Sequence, residues 1–435
     1  MNFQKLLLQS LTWRGVYFIS MLLVNVFLSR YLQAASTGIV YYISNIFSFS
    51  LIIVGLSFES GVTFYASGAL IQKNKLIWFV VLWSFVLVAL VLAAIALYFH
   101  FSSGAHEVLD NRYYYFGVTY IAGLFLTNCA AALFYTQNNF LLPNALLAAW
   151  NILLIIFIPK HPAASIEEAT PILDAYFLVF ILQGISICVA YLFSDKATRQ
   201  FALPVKAELK DLFRFSSLAM AANIVFFLVY RVDYLFVNAS PVCTAADLGN
   251  YIQVSKLGQL LLIIPQIIAS VIFPRTASGI ERKELNNTLM IMARLFLQLY
   301  VVVLIVVIFA GQYVFTLLFG ETFNAMKLPF IILIPGIFSL SVLTLLAAYF
   351  SGKGKVIVNV TGTGIALVVV IIGDYLFVPR YGIVAAAAVS TVGYTVNLLY
   401  ILYVFYKDYS INLYDFFHWR KEDYTWIKNL LLKGK

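Results

Sequence analysis

Residues 29–68 read SRYLQAASTGIVYYISNIFSFSLIIVGLSFESGVTFYASG. The stretch holds the end of one apolar run, a short polar turn, and a second long apolar run carrying a single acid, Glu59. An apolar run of ~20 residues is long enough, as a helix, to cross a ~30 Å hydrocarbon core, and a helix satisfies its own backbone there. Two such runs joined by a tight turn predict a membrane hairpin. The layout returns later: with Gly38 set on Gly249, TGIVYYISNIF lies over LGNYIQVSKLG, Ser44 over Ser255, and Ala66-Ser67-Gly68 over Ala277-Ser278-Gly279.

The rest of the chain extends this pattern. Its 435 residues are 63% hydrophobic and 11% charged, and the mean hydropathy of +0.93 excludes an ordinary soluble domain. The periodic apolar runs predict an all-α integral membrane protein with twelve helices at 6–30, 38–66, 76–100, 113–137, 140–158, 173–194, 213–237, 249–274, 289–313, 325–350, 355–378 and 383–406. The amino end shows no cleavable signal, so the first run reads as a permanent span.

The net charge of +9 is spread over short loops and the tail, which points to membrane topology and not to nucleic acid. Lys5, Lys73, Lys75, Lys196, Arg199, Lys206, Lys210, Arg214, Arg275, Arg282, Lys283, Lys353 and Lys355 fall on one side, with the basic tail. Arg30, Arg112, Lys160 and Arg380 fall on the other. That asymmetry predicts an even number of spans in a bacterial inner membrane, with both termini cytoplasmic.

The long polar connector near mid-chain divides the expected architecture. Residues 1–194 form an amino-terminal six-helix lobe, 195–212 a cytoplasmic linker, 213–406 a carboxy-terminal six-helix lobe, and 407–435 a tail. The internal match suggests pseudo-symmetric bundles. The tail mixes aromatics with Arg420, Lys421, Lys428, Lys433 and Lys435, as expected of an amphipathic helix lying on anionic lipid.

Ionisable side chains inside spans are costly and usually face a wet cavity or one another. Arg14 and Glu59 fall at about the same level, ~12 Å from the cytoplasmic end of the first two spans. Arg231 and Lys256 both fall ~10 Å from the outer end of the seventh and eighth, with Asp233 slightly nearer the surface. These groups predict a cationic central cleft between the lobes for an anionic group. Arg14, Arg30, Arg231 and Lys256 are candidate substrate contacts, and Glu59 and Asp233 are candidate ion-coupling acids. Read blandly, Arg14 with Glu59 and Arg231 with Asp233 are buried pairs that hold helices together.

Lys256 has no acid within reach along its own helix, which favours it as a substrate contact. Asp374, near the outer end of the eleventh span, reads as solvent-exposed. Tyr41, Tyr42 and Tyr251 are candidate sugar-stacking rings, although core packing and aromatic belts account for most such tyrosines. Pro265 and Pro335 predict kinks, and Ala385–Ala388 predicts a close helix contact.

No motif for covalent chemistry appears. His100, His106, His161 and His418 lack metal-ligand spacing, Cys129, Cys188 and Cys243 form no obvious pair, and there is no phosphate loop. No catalytic residue, metal site or cofactor is expected. A transporter driven by a gradient, of H+ or Na+ or of the substrate itself, fits better than an enzyme.

Four junctions narrow the class. LSRYLQAASTGIVYY resembles the first-to-second helix junction of Wzx-type polysaccharide flippases in the MATE-like MOP exporter superfamily. RVDYLFV followed by LGNYIQVSKL is similar to that family's seventh-to-eighth junction, FGETFNAMKLPFIIL to the start of its tenth helix, and VPRYGIVAAAAVST to the junction before its last. One departure is Gln33, where the family often has Gly after Arg-x-Leu, suggesting a different outer turn. The resemblance implies a two-lobed flippase that moves an undecaprenyl-pyrophosphate-linked oligosaccharide outward by alternating access. Arg30 and Asp233 match recurring family positions.

The implied partners are the lipid-linked oligosaccharide and membrane lipids, with a polysaccharide polymerase or glycosyltransferase as a further candidate. The rival readings are a multidrug or metabolite cation antiporter of the same fold, against which the basic excess argues, and a membrane glycosyltransferase or polymerase, against which the short outer loops argue.

Overall fold

A computed structural model describes residues 3–101, 112–277 and 282–409, together with Phe416, His418 and Asp423. Every regular element among them is helical. The first unit contains α1 (Phe3–Val54), α2 (Phe58–Ser67), α3 (Lys73–Phe101), α4 (Tyr113–Thr136), α5 (Leu141–Phe157), α6 (Thr170–Ser194) and the single turn α7 (Lys196–Arg199). Then follow α8 (Lys206–Arg231), α9 (Asp233–Ala239), α10 (Ala245–Leu261), α11 (Ile263–Ala277), α12 (Arg282–Phe319), α13 (Lys327–Gly352) and α14 (Val356–Tyr409).

Two of these helices are too long to be one crossing. At 1.5 Å per residue, α1 and α14 would each run ~80 Å, far beyond a bilayer. Each is two helices joined at one non-helical residue: Gln33 in α1 (φ 60°, ψ 174°) and Gly382 in α14 (φ 58°, ψ −142°). The halves of α14 pack antiparallel. A Cβ on Gly373 would meet Val389 at 2.7 Å, and one on Gly393 would meet Val370 at 2.5 Å, so one strand of contacts descends as the other climbs.

Nine helices among the described residues are long and apolar enough to cross a membrane. With α1 and α14 holding two spans each and the shorter α5 adding one, all twelve expected spans are accounted for. The protein is an all-α, multi-span membrane protein. The narrow gap between α4 and α5 is a true turn, since Asn138 takes φ 58° and Asn139 Oδ1 accepts from Leu142 N at 3.2 Å.

Several spans are interrupted in ways that apolar runs do not reveal. The second breaks where Leu56 and Ser57 adopt φ of 48° and 49°, and it resumes as α2. Asn223 Nδ2 donates to Ser57 Oγ there at 3.0 Å. The eighth breaks at Leu262, just before Pro265. Proline has no N–H to offer the carbonyl four residues earlier, and the Tyr300 hydroxyl reaches that carbonyl, on Leu261, at 3.4 Å. The seventh breaks at Val232, which separates Arg231 from Asp233.

Gln33 occupies a backbone region that is essentially glycine territory and costs other residues ~1–3 kcal/mol. The turn is therefore one that glycine would make without strain, made here by Gln33. Gln33→Gly is expected to stabilise the protein by about 1 kcal/mol, read as a rise in unfolding temperature in detergent. A fall would mean that contacts of the Gln33 side chain outweigh the strain.

Two compact units emerge, Met1–Ile224 and Val225–Lys435. The division lies inside α8, later than the 195–212 connector marked by sequence polarity. The cause is aromatic packing: Phe213 of α8 meets Phe58 of α2 at 5.1 Å and Trp83 of α3 at 5.4 Å between centroids, edge to face. Lys75 and Glu208 add an ion pair at 3.1 Å. The first half of α8 thus belongs with α2 and α3.

Within the first unit, α4 and α6 approach through Gly123 and Gly184. A Cβ on Gly184 would sit 2.6 Å from the Gly123 carbonyl oxygen, the close backbone approach that small residues permit in membranes. A buried chain links α6, α5 and α1: Gln183 Nε2 donates to Asn151 Oδ1, and Asn151 Nδ2 to Ser20 Oγ, both at 2.9 Å.

Within the second unit, Arg294 of α12 is clasped by a tail residue. Its Nε and a terminal nitrogen donate to Asp423 Oδ2 and Oδ1 at 2.8 and 2.6 Å, and the side chains are 3% and 0% exposed. Phe416 packs edge-on against Phe405 of α14, with centroids 5.7 Å apart. These tail residues are buried in protein, which corrects the expectation of a tail lying on lipid at these positions. Arg420, Lys421, Lys428, Lys433 and Lys435 lie outside the described residues.

Candidate functional site

In the first unit Arg14 and Glu59 do not meet. The Arg14 guanidinium lies over the Tyr135 ring, 4.5 Å from its centroid, and 5.7 Å from that of Phe140. Tyr135 is itself anchored, donating to Asn144 Oδ1 at 3.1 Å. A cation over an aromatic face gains ~1–2 kcal/mol when partly desolvated, so the turn between α4 and α5 supplies what a carboxylate was expected to supply.

Glu59 sits in the first turn of α2, where an acid suits the helix dipole. It lines an open cavity of about 700 Å³ with Ser60, Thr63, Phe64, Ser67 and Gly68. No ion pair joins it to Arg14 among the described residues, which corrects the expected pairing.

The second unit concentrates its ionisable groups at the break between α8 and α9. Val232 packs with Val370 and Val389 of α14, flanked by Leu228, Phe236 and Leu367. This seam places Asp233 against α14. Asp233 is 1% exposed. Its Oδ2 accepts from the Tyr251 hydroxyl at 2.5 Å and from Ser390 Oγ at 3.2 Å, and its Oδ1 from Tyr234 N at 2.9 Å.

One turn past Val370 on the same seam lies Asp374. It is fully buried, not solvent-exposed as its position near a span end suggested. Neither of its carboxylate oxygens has a hydrogen-bond partner among the described residues. It lies within electrostatic range of both Asp233 and Tyr251. Two carboxylates in one low-dielectric interior repel strongly unless a cation or a proton is shared between them.

Arg231, the residue just before the break, faces differently. It donates to the Tyr234 hydroxyl at 2.5 Å and to Gln259 Oε1 at 2.6 Å, and stands 5.2 Å from the Tyr234 ring centroid. No ion pair joins it to Asp233 among the described residues. Lys256, partly buried on α10, lies close enough for the two positive charges to oppose each other. The arrangement is thus a cationic pair on α8 and α10 beside an anionic pair on α9 and α14.

Comparisons with known proteins place this architecture. Residues 113–328 match a family model described as "Polysaccharide biosynthesis protein". Among solved structures, the lipid II flippase MurJ in an inward closed conformation superposes with a TM-score of 0.69 at 14% identity, covering 93% of this chain and 89% of that one. An inward-facing multidrug resistance MATE family transporter of the MOP superfamily gives 0.64 at 14%, covering 91% and 96%. The chain has the MOP-superfamily fold.

A MATE transporter from Vibrio cholerae, VcmN in its bent form, agrees at a TM-score of 0.60 and 18% identity, covering 95% and 98%. No curated protein matches the chain by sequence. The fold implied by the four junctions is borne out by these matches.

Within this MOP fold the sequence-derived candidates separate. Arg231, Lys256 and Asp233 gather in one neighbourhood of the second unit, Arg14 and Glu59 stand apart in the first, and Arg30 is exposed on α1 near Gln33. Tyr251 is fully buried as a ligand of Asp233 and Tyr41 is 4% exposed, so neither presents a ring face to a sugar. Tyr42 is partly buried. Sequence reasoning read Asp374 as solvent-exposed and passed over Gln259. The usable signal for Asp374 was its spacing from Ala366 and Val370, which continues a buried helical stripe.

Proposed function

We propose that this protein is a flippase that moves an undecaprenyl-pyrophosphate-linked oligosaccharide across the bacterial inner membrane by alternating access, for surface polysaccharide assembly. The observation that carries the reading is the Arg231 guanidinium, held inside the apolar second unit by the Tyr234 hydroxyl and Gln259 Oε1. A guanidinium in such a place is costly unless an anionic group joins it. Oriented in this way, Arg231 is suited to a pyrophosphate or an acidic sugar. The polysaccharide-biosynthesis family match and the likeness to a lipid II flippase support the same class.

In this scheme the sugar headgroup follows a hydrated path while the lipid tail stays in the bilayer, which avoids most of the desolvation cost. The Asp233–Asp374 pair supplies the coupling. Loading it with a small cation or a proton relieves the repulsion, and unloading restores it, so occupancy biases the packing of α9 on α14. Glu59 is a second coupling candidate in the first unit.

The test is flipping of a fluorescent lipid-linked oligosaccharide by the full chain in proteoliposomes. Lys256→Gln is expected to weaken use of the pyrophosphate-bearing substrate by about ten- to a hundred-fold, the scale of losing one charge-assisted hydrogen bond. Unchanged flipping by a normally folded Lys256→Gln protein would refute the assignment. The acid-lined opening at Glu59 favours a second reading, a cation antiporter, and resistance to cationic dyes on expression would support that reading over this one.

A further inference from the structure

The polar residues of α2 share one side of the helix. At 3.6 residues per turn, Glu59, Ser60, Thr63 and Ser67 fall within an arc of about 100°. The buried residues Phe58, Gly61, Val62 and Ala66 fall outside it. Packing fixes that rotation. A Cβ on Gly61 would collide with Ser216 Oγ of α8, and Phe58 meets the rings of Phe79 and Trp83 edge-on at 5.0 and 5.1 Å between centroids. The break at Leu56 and Ser57 lets α2 take a rotation of its own. The polar side therefore lines the cavity of about 700 Å³, together with Phe64 and Gly68, a volume within the ~300–1,000 Å³ range of small-molecule sites.

Hydroxyls elsewhere in the spans of this unit turn back on their own helix. Ser44 donates to Val40 O, Ser48 to Ser44 O and Thr119 to Tyr115 O, at 2.8, 2.8 and 2.7 Å. Ser60 and Ser67 make no such bond among the described residues, and the Glu59 carboxylate meets no other side chain there. Thr63 Oγ1 donates to Glu59 O at 2.6 Å and keeps its lone pairs for a further donor. Phe64 is 48% exposed, with one face stacked on Phe215 at 4.6 Å between centroids. No basic side chain is among the lining residues. An acyl chain here would leave the acid and the hydroxyls unpaired in hydrocarbon. A large organic cation is held best by several aromatic faces, and a single ring lines this cavity.

We propose that the face of α2 formed by Glu59, Ser60, Thr63 and Ser67 is a sugar subsite that takes uncharged, hydroxyl-rich residues of the lipid-linked oligosaccharide and rejects acidic ones. The inference rests on the flippase reading and adds the glycan chemistry that the first unit selects. A sugar hydroxyl both donates and accepts, which suits a carboxylate that only accepts beside serines that do either. Phe64 offers an apolar surface to the C–H face of a sugar ring, the mix of a few polar groups with an apolar wall that small-molecule sites use. A uronic acid would set a second carboxylate against Glu59 with no basic side chain to balance it, and that repulsion supplies the discrimination.

The experiment measures equilibrium binding to the full chain in detergent of three short-chain polyprenyl pyrophosphates: one sugar-free, one carrying a neutral trisaccharide, and one carrying the same trisaccharide with a uronic acid in it. The parent is expected to bind the neutral glycan about ten-fold more tightly than either of the others. Thr63→Val with Ser67→Ala is expected to remove most of the preference over the sugar-free lipid, as the loss of two hydrogen bonds would. Glu59→Gln is expected to tighten binding of the uronic-acid lipid about ten-fold, a gain that a folding defect cannot produce. Equal binding of the sugar-free and neutral-glycan lipids by the parent overturns the subsite and leaves the flippase reading standing. Glu59→Gln protein that disfavours the acidic glycan as strongly as the parent does also overturns it. So does a cationic dye that binds the parent but not Glu59→Gln and is not displaced by the neutral-glycan lipid. If the parent binds none of the three lipids, the flippase reading fails and the subsite with it.

Discussion

Asp374→Asn is expected to make the protein more stable and to uncouple it. Asp374 is a buried carboxylate with both oxygens unpaired beside a second buried carboxylate. An isolated buried charge left unsatisfied costs at least ~1–3 kcal/mol, and repulsion from Asp233 adds to that. The amide has the same shape, carries no charge and can donate a hydrogen bond toward Asp233. The expected gain is about 1–3 kcal/mol in unfolding experiments in detergent. Cation-driven flipping is expected to fall about a hundred-fold, as the loss of a charged ligand worth ~3 kcal/mol would produce. Functional residues commonly lower stability in this way. A variant that is less stable than the parent and still flips under a cation gradient would show Asp374 to be a structural residue.

Asp423→Ala is expected to have the opposite sign and a larger size. Asp423 and Arg294 are buried to 0% and 3% exposure and share two hydrogen bonds. Removing one partner of such a pair strands the other charge and typically costs ~3–5 kcal/mol. The unfolding temperature of the purified protein should drop accordingly, and the carboxy-terminal residues should become sensitive to protease under native conditions. The double change Arg294→Met with Asp423→Leu should recover much of the loss, because an apolar pair of similar volume has no desolvation penalty to offset. A single Asp423→Ala variant within about 1 kcal/mol of the parent would mean that Arg294 finds another anion.

Most of the fold was legible in the chain. Span lengths, the even count, the narrow turn at Asn138–Asn139, the kink at Pro265 and the family-like junctions all followed from local pattern. The candidate site was legible only in part. Arg231, Asp233 and Lys256 stood out because charge in an apolar run is rare, and they do gather in one unit. Their pairing was not legible: Arg14 chose an aromatic face over Glu59, and Asp233 chose Tyr251 and Ser390 over Arg231. Charges two residues apart, such as Arg231 and Asp233, point in different directions from a helix.

Hydropathy along the chain determined by itself that this is a many-span helical membrane protein and roughly where each span runs, because the bilayer sets the length of an apolar helix whatever its neighbours are. Only the tertiary structure decided which polar groups meet. Asp374 became a buried neighbour of Asp233, Tyr251 became the hydrogen-bond donor to Asp233, and Arg294 found its counter-ion far away in the tail. Those choices depend on how each helix is rotated and which partner it packs against, and in a chain apolar on almost every face, no local pattern specifies that rotation.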